Sequence, residues 1–310
     1  MPLIVVPDDA PAVLSRSNAV MQLRDCEHRI YTTLPANPDE LIARVDDADA
    51  VVNIRASTRF SADVLAACPQ LRVLSIWGTG TDHVDLAAAR ARGITVTNTP
   101  AVSALAVAEH TLSLMFAVAR QTVVVDRDVR SGHWPRALVQ QLHGKTLGVV
   151  GLGAIGTQVA RLGEAIGMKV IAWSFQRRSG YDLVTLDELF QQADVVTVHL
   201  RQSPQTIALI GAAQFALMKP TAIFLNTARG RIVVESDLIE VLRAGRIAGA
   251  GLDVFEAEPL PTESPLLQLA NVVLSPHAAG ITPEATEAGL AMAIENVRSF
   301  RAGRPAHVVV

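Results

Sequence analysis

The sequence predicts an α/β protein of two Rossmann-like, doubly wound parallel-sheet domains, and three observations carry that prediction. Short β-branched or apolar runs alternate with stretches of helical spacing up to Thr97, the alternation breaks off after Asn98, and it restarts at Lys145 with a run that empties into glycines at 151, 153 and 156. Such alternation means a parallel sheet with helices on its faces. At 310 residues the chain has the length of about two domains.

In the first part, strands are expected at 3–6, 29–32, 50–54, 72–76 and 94–97, separated by helices near 39–45, 61–67 and 84–92. Ser61 and Asp85 stand where N-caps belong, and Gly93 follows basic Arg90 and Arg92 as a helix stop. Residues 101–120 place Leu105, Ala108, Leu112, Met115 and Ala119 on one face, the pattern of a helix crossing between domains. Residues 121–143 lack periodicity and read as a loop whose Trp134 covers something or meets another subunit.

From Lys145 six strands are expected, at 146–150, 169–173, 194–199, 222–226, 250–254 and 272–274, with helices near 187–192, 212–218 and 236–243. A last amphipathic helix over 283–302 returns the chain to the first domain. The expected organisation is therefore a discontinuous substrate domain, residues 1–98 plus 285–310, and a dinucleotide-binding domain over 99–284. The active site is expected in a cleft between them, with hinges near 99–105 and 280–285.

The glycine run carries the binding chemistry. Gly151 turns the chain out of a strand, Gly153 lets backbone approach a pyrophosphate, and Gly156 lets the following helix pack close to the sheet. The anion then rests on unpaired amides at the helix N-terminus.

Composition narrows the partners. The chain is 50% hydrophobic and 18% charged, with a net charge of −3, so no basic surplus attracts nucleic acid or an anionic membrane. Cys26 and Cys68 are far apart and fit no zinc or disulfide spacing, so no metal is expected and a reducing compartment, the cytoplasm, fits best. No basic leader precedes the short apolar run at the N-terminus, and no stretch is apolar enough to span a bilayer.

Three segments follow the expected strands of the second domain: Asn226-Thr-Ala-Arg229-Gly, Asp253-Val-Phe-Glu-Ala-Glu258-Pro and Ser275-Pro-His277-Ala-Ala-Gly280. Singly, each has an ordinary explanation as surface charge or turn. Together, a cation, a carboxylate and an imidazole past successive strand ends are the set a hydride transfer to a carbonyl needs. The imidazole supplies the proton, the carboxylate fixes its tautomer, and the guanidinium grips a substrate carboxylate.

The chain resembles the D-isomer-specific 2-hydroxyacid dehydrogenase family. The matching segments are Trp77-Gly-Thr-Gly-Thr-Asp-His-Val-Asp85, Arg92-Gly-Ile-Thr-Val-Thr-Asn-Thr-Pro100, Val107-Ala-Glu-His-Thr, the glycine loop, His199, Asn226–Gly230, Gly251–Pro259 and Ser275–Gly280. The resemblance implies an NAD(P)-dependent oxidoreductase that interconverts a small 2-keto acid and a D-2-hydroxy acid, in the manner of glyoxylate/hydroxypyruvate reductases or phosphoglycerate dehydrogenases. It implies a catalytic set of Arg229, Glu258 and His277, substrate contacts from Arg55, Gly78, Thr79 and Gly80 as well as Arg229 and His277, and cofactor contacts from Thr79, Gly151, Gly153, Ala154, Ile155, Gly156, Thr227, Asp253 and Gly280. A homodimer through the nucleotide-binding domain is expected. The alternative on the same fold is an NAD(H)-sensing, corepressor-like regulator.

Two departures stand out. Where NAD-preferring relatives carry an Asp after the second strand, this chain has Ser174, followed by Arg177 and Arg178, which predicts a modest preference for NADPH over NADH. The segment after His199, Leu200-Arg-Gln-Ser-Pro204, also lacks the family's usual proline position.

Overall fold

The computed structural model describes residues 3–176 and 180–310. The chain divides into two compact units, Met1–Ser103 with Ile281–Val310, and Ala104–Gly280.

The first unit is a five-stranded parallel sheet, in the order β2-β1-β3-β4-β5, of β1 (Leu3–Val6), β2 (Glu27–Ile30), β3 (Ala50–Asn53), β4 (Val73–Ile76) and β5 (Thr95–Thr97). Alternate residues feed opposite cores, as the two-residue strand period demands. Leu3 and Val5 join Val51, Leu74 and Ile76 under α1 (Pro38–Val45), α2 (Ala62–Ala66) and α3 (Leu86–Ala91). Ile4 and Val6 join Val52 and Val73 on the other face, where Leu14, Ala19 and Leu23 cover only part of the sheet. The cover is completed by Leu290, Ala293, Ile294 and Val297 of the C-terminal helix, α10 (Pro283–Arg301). That apolar face is the physical reason the chain returns. Ser61 and Asp85 cap α2 and α3 through the amides of Val64 and Ala88.

The second unit is a seven-stranded parallel sheet in the order β12-β11-β10-β9-β6-β7-β8. Its strands are β6 (Thr146–Val150), β7 (Lys169–Trp173), β8 (Asp182–Leu183), β9 (Val195–Val198), β10 (Ile223–Asn226), β11 (Gly249–Leu252) and β12 (Val272–Leu274). The order reverses between β6 and β9, which is where such sheets open a ligand crevice at their carboxyl ends. On one face, α4 (Ala104–Ala119) and α6 (Ala154–Ala165) bury Ala108, Leu114, Met115, Val159 and Ala160. On the other, α7 (Leu186–Gln192), α8 (Ala212–Leu217) and α9 (Glu235–Arg243) bury Phe190, Phe215, Leu238 and Val241.

Three expectations need correcting. The segment read as a loop contains a helix, α5 (Thr122–Arg130), which buries no residue and opens on four consecutive β-branched residues, Thr122 to Val125, that favour strand over helix. The second strand begins two residues earlier than expected, at Glu27, because it is a polar edge strand and the β-branched residues that mark it lie at and past its end. The seventh strand of the larger sheet, β8, is two exposed residues paired only with β7. Among the described residues, no helix is long and apolar enough to cross a membrane, and no group of three or more His, Cys, Asp or Glu is placed to hold a metal ion.

Candidate active site

The glycine loop turns from β6 into α6 at the crevice end of the sheet. Gly151 has φ +102°, and a Cβ there would lie 2.6 Å from the His199 carbonyl oxygen. A Cβ on Gly156 would lie 1.9 Å from the Gly151 carbonyl oxygen, so only glycine lets α6 start so close to the strand. Gly153 differs: a Cβ there would meet nothing within 4 Å, and as the N-cap of α6 it offers no side-chain hydrogen bond to the first amides. Open space beside uncapped helix amides, including those of Ala154 and Ile155, fits the phosphates of a dinucleotide. Beside this loop His199 is buried, and burial pushes its pKa down to about 3, so its ring is neutral; Nε2 meets Thr197 Oγ1 at 2.9 Å, and Nδ1 has no partner among the described residues.

The residues expected to carry the chemistry follow β10, β11 and β12, which are neighbours in the sheet. Asn226 shapes the first turn: its Nδ2 donates to the Arg229 carbonyl at 3.0 Å and its Oδ1 accepts from the Ala228 amide at 3.0 Å. The Arg229 turn lies hard against the next connection, since a Cβ on Gly230 would sit 1.9 Å from the Phe255 carbonyl carbon. Three residues after Phe255 comes Glu258, whose Oε1 accepts from the Phe255 amide at 2.9 Å.

The other oxygen of Glu258 meets His277 Nδ1 at 2.7 Å. Burial raises the Glu258 carboxyl, but the hydrogen bonds from His277 and Phe255, aided by the charges of His277 and Arg229, outweigh burial and hold it below its ordinary value. An ionised carboxylate only accepts, so Nδ1 carries the proton and Nε2 is the nitrogen free to exchange one. Nε2 has no partner among the described residues, and 40% of the His277 side chain is exposed.

His277 sits at φ +52°, in the left-handed region. Asp253 holds it there. Its carbonyl accepts the His277 amide at 2.7 Å, and its carboxylate accepts the Ala278 and Ala279 amides, each at 2.9 Å, and the Ser275 hydroxyl at 2.6 Å. Ser275, having donated to Asp253, accepts from His110 Nε2 at 2.9 Å. Thr227 pairs with Thr111 Oγ1 at 2.9 Å, and Gly280 closes the loop after His277. The supporting roles of His110, Thr111 and Ser275 were not legible in the sequence, because α4 and the strand ends meet only in three dimensions. Their one signal was that they stand in two of the segments that carry the family resemblance, Val107-Ala-Glu-His-Thr and Ser275–Gly280.

Ser174 follows β7 and is half-buried, while Arg177 and Arg178 lie outside the described residues. In the first unit, the Gly78 amide donates to Thr99 Oγ1 at 2.7 Å and the Thr79 carbonyl accepts from Asn98 Nδ2 at 2.8 Å, so the segment carrying Gly80 is tied at its start. The Arg55 guanidinium lies 6.0 Å from the Trp77 ring centre and donates to the Pro11 carbonyl.

The model of the D-isomer specific 2-hydroxyacid dehydrogenase NAD-binding domain matches residues 112–279. The chain is 40% identical over 281 residues to a glyoxylate reductase of Korarchaeum cryptofilum, covering 87% of this chain and 84% of that protein. It is 42% identical over 255 residues to a D-3-phosphoglycerate dehydrogenase of Archaeoglobus fulgidus, covering 80% of this chain but only 48%, about half, of that protein. The solved structure of a Thermus thermophilus protein superposes with a TM-score of 0.92 at 37% identity, over 99% of this chain and 100% of that one. With an uncapped dinucleotide turn, a carboxylate-paired histidine past the next strands and these matches, the chain belongs to the D-isomer-specific 2-hydroxyacid dehydrogenase family, oxidoreductases acting on a CH–OH group with a nicotinamide cofactor.

Proposed function

We propose that the chain interconverts small 2-keto acids and 2-hydroxy acids, of D configuration where C2 is a stereocentre, in the manner of a glyoxylate/hydroxypyruvate reductase or a phosphoglycerate dehydrogenase, the direction set by supply. The observation that carries this reading is the 2.7 Å contact between His277 Nδ1 and Glu258, which leaves Nε2 as a proton donor. The bound nicotinamide cofactor supplies or accepts the hydride. His277 Nε2 gives its proton to the substrate oxygen as charge develops there, and recovers it in the reverse direction. Glu258 stabilises the imidazolium and keeps the ring in one tautomer. Arg229 grips the substrate carboxylate and polarises the carbonyl beside it. Arg55 and the backbone of Gly78, Thr79 and Gly80 complete the hold on substrate, while Gly151, Gly153, Ala154, Ile155, Gly156, Thr227, Asp253 and Gly280 serve the cofactor.

The test is a spectrophotometric panel of glyoxylate, hydroxypyruvate, pyruvate and phosphohydroxypyruvate with NADH and with NADPH. Oxidation of the reduced cofactor with glyoxylate or hydroxypyruvate at the highest kcat/KM is expected, and no turnover of any of the four would refute the reading. The two named relatives are a reductase and a dehydrogenase, which favours the enzyme over a corepressor-like regulator.

The same panel decides the cofactor. A carboxylate after β7 would hold ribose hydroxyls and repel a 2′-phosphate, and Ser174 stands there instead. NADPH is therefore expected to give a kcat/KM a few-fold above NADH, and Ser174→Asp to reverse the order. A higher value with NADH in the wild type sinks this reading of the turn.

A homodimer is proposed from the surface of the second unit. Trp134 is 75% exposed, Leu138 is 99% exposed, and Leu105, Phe116, Val123 and Val129 are exposed nearby in sequence on α4 and α5. Large apolar side chains left in water in such numbers mark a contact surface. Light scattering at micromolar concentration is expected to give twice the 33.0 kDa chain mass, and a monomeric mass would rule the dimer out. A cytoplasmic location is proposed from the unpaired Cys26 and Cys68.

A further inference from the structure

The first unit holds a buried polar chain that the reaction chemistry above does not use. Asp8, just past β1, is 0% exposed. Its Oδ1 accepts the Ile54 amide at 3.0 Å, and its Oδ2 accepts the Arg55 amide at 2.9 Å and Asn53 Nδ2 at 2.6 Å. Asn53 Nδ2 also donates to the Arg55 carbonyl at 3.0 Å, which settles the orientation of the amide. Asn53 Oδ1 is then the acceptor that faces His83 Nε2 at 2.7 Å, so Nε2 carries the proton.

One carboxylate thereby ties together the ends of β1 and β3 and the segment after β4, three adjacent strands of the sheet. A carboxyl group buried this deeply is costly unless its hydrogen bonds are made, and an apolar residue in its place would leave the Ile54 and Arg55 amides without their acceptor. What the carboxylate adds is register. The tied backbone carries Arg55 on one side and, three residues before His83, Gly80 on the other. Arg55 Nε is buried with no hydrogen-bond partner among the described residues, a donor left for a ligand. Its guanidinium faces Trp77, which is seated in a slot on α10 that a Cβ on Gly289 would close, at 2.2 Å from the indole nitrogen.

We propose that Asp8 is a positioning residue for substrate: through Asn53 and His83 it holds the Arg55 segment and the Gly78–Gly80 loop in one register and so sets affinity for the substrate carboxylate. This rests on the reading of Arg55 and that loop as substrate contacts.

The test compares Asp8→Asn, His83→Leu, their double variant and Arg55→Met, measuring KM for hydroxypyruvate, kcat, the NADPH dissociation constant by fluorescence, and the thermal midpoint. Asp8→Asn and His83→Leu are each expected to raise KM about tenfold, the loss of a charge-assisted or buried hydrogen bond, with kcat and the NADPH constant little changed. Because both act through one chain, the double variant is expected to match the larger single effect and not the product. A folded Asp8→Asn protein with unchanged KM, or a double variant whose KM is the product, overturns the proposal. Should Asp8→Asn fail to fold, His83→Leu alone decides, since it breaks the far end and leaves the carboxylate bonded to Asn53 and two amides. Unchanged KM in Arg55→Met removes the substrate reading itself, whereas raised KM there with normal Asp8→Asn and His83→Leu removes only the relay.

Discussion

His277→Ala is expected to lower kcat at neutral pH by about 10²–10⁴-fold, the range assigned to a positioned general acid, while NADPH binding stays close to wild type. The magnitude follows from the geometry. Glu258 holds Nδ1, and Nε2 is without a partner among the described residues. The other imidazoles beside these strand ends are committed elsewhere: His199 is buried and neutral, and His110 is bonded to Ser275. The alanine variant is expected to fold, because the main-chain bond from residue 277 to the Asp253 carbonyl does not involve the ring. Steady-state kinetics with hydroxypyruvate, beside fluorescence titration of NADPH, check both halves. Unchanged turnover in folded His277→Ala protein removes the residue from the mechanism.

Arg229→Lys is expected to be nearly as damaging, with KM for the 2-keto acid raised and kcat lowered together. A planar guanidinium presents parallel donors to a carboxylate and an adjacent carbonyl, and an ammonium presents a point charge. The turn around it is built to hold one geometry, with Asn226 bridging its backbone and Gly230 pressed against Phe255. The positive charge that helps to keep Glu258 ionised would also be displaced. Wild-type constants for Arg229→Lys with glyoxylate and hydroxypyruvate would show that the anchor has been misassigned.

Much of the larger sheet was legible because its strands are buried on both faces and read as continuous apolar runs, as at Thr146–Val150 and Ile223–Asn226. Elements that bury little were not legible. The helix Thr122–Arg130 opens on four β-branched residues and buries none of its side chains, and Asp182–Leu183 is too short to show a period. The candidate catalytic residues were visible through their types, their positions past strand ends and the family motifs in which they stand. Their supports were not. Nothing in the spacing of Asp253, Ser275 and His110 says that they form one hydrogen-bonded set. Asp8 carried a fainter signal: a carboxylate at the carboxyl end of the first strand, where such sheets keep functional groups. Its partners at Asn53 and His83 come from other strands, and only the sheet order brings them together.

Where the transferred hydrogen ends up decides whether the chain performs this hydride transfer. The enzyme is incubated with hydroxypyruvate and NADPH deuterated at the transferred position of C4, and the glycerate formed is analysed by mass spectrometry and chiral chromatography. D-glycerate with one deuterium at C2 is expected from wild type, strongly depleted with His277→Ala. Glycerate of the L configuration, or product without deuterium at C2, would rule out hydride transfer to the D face by this enzyme.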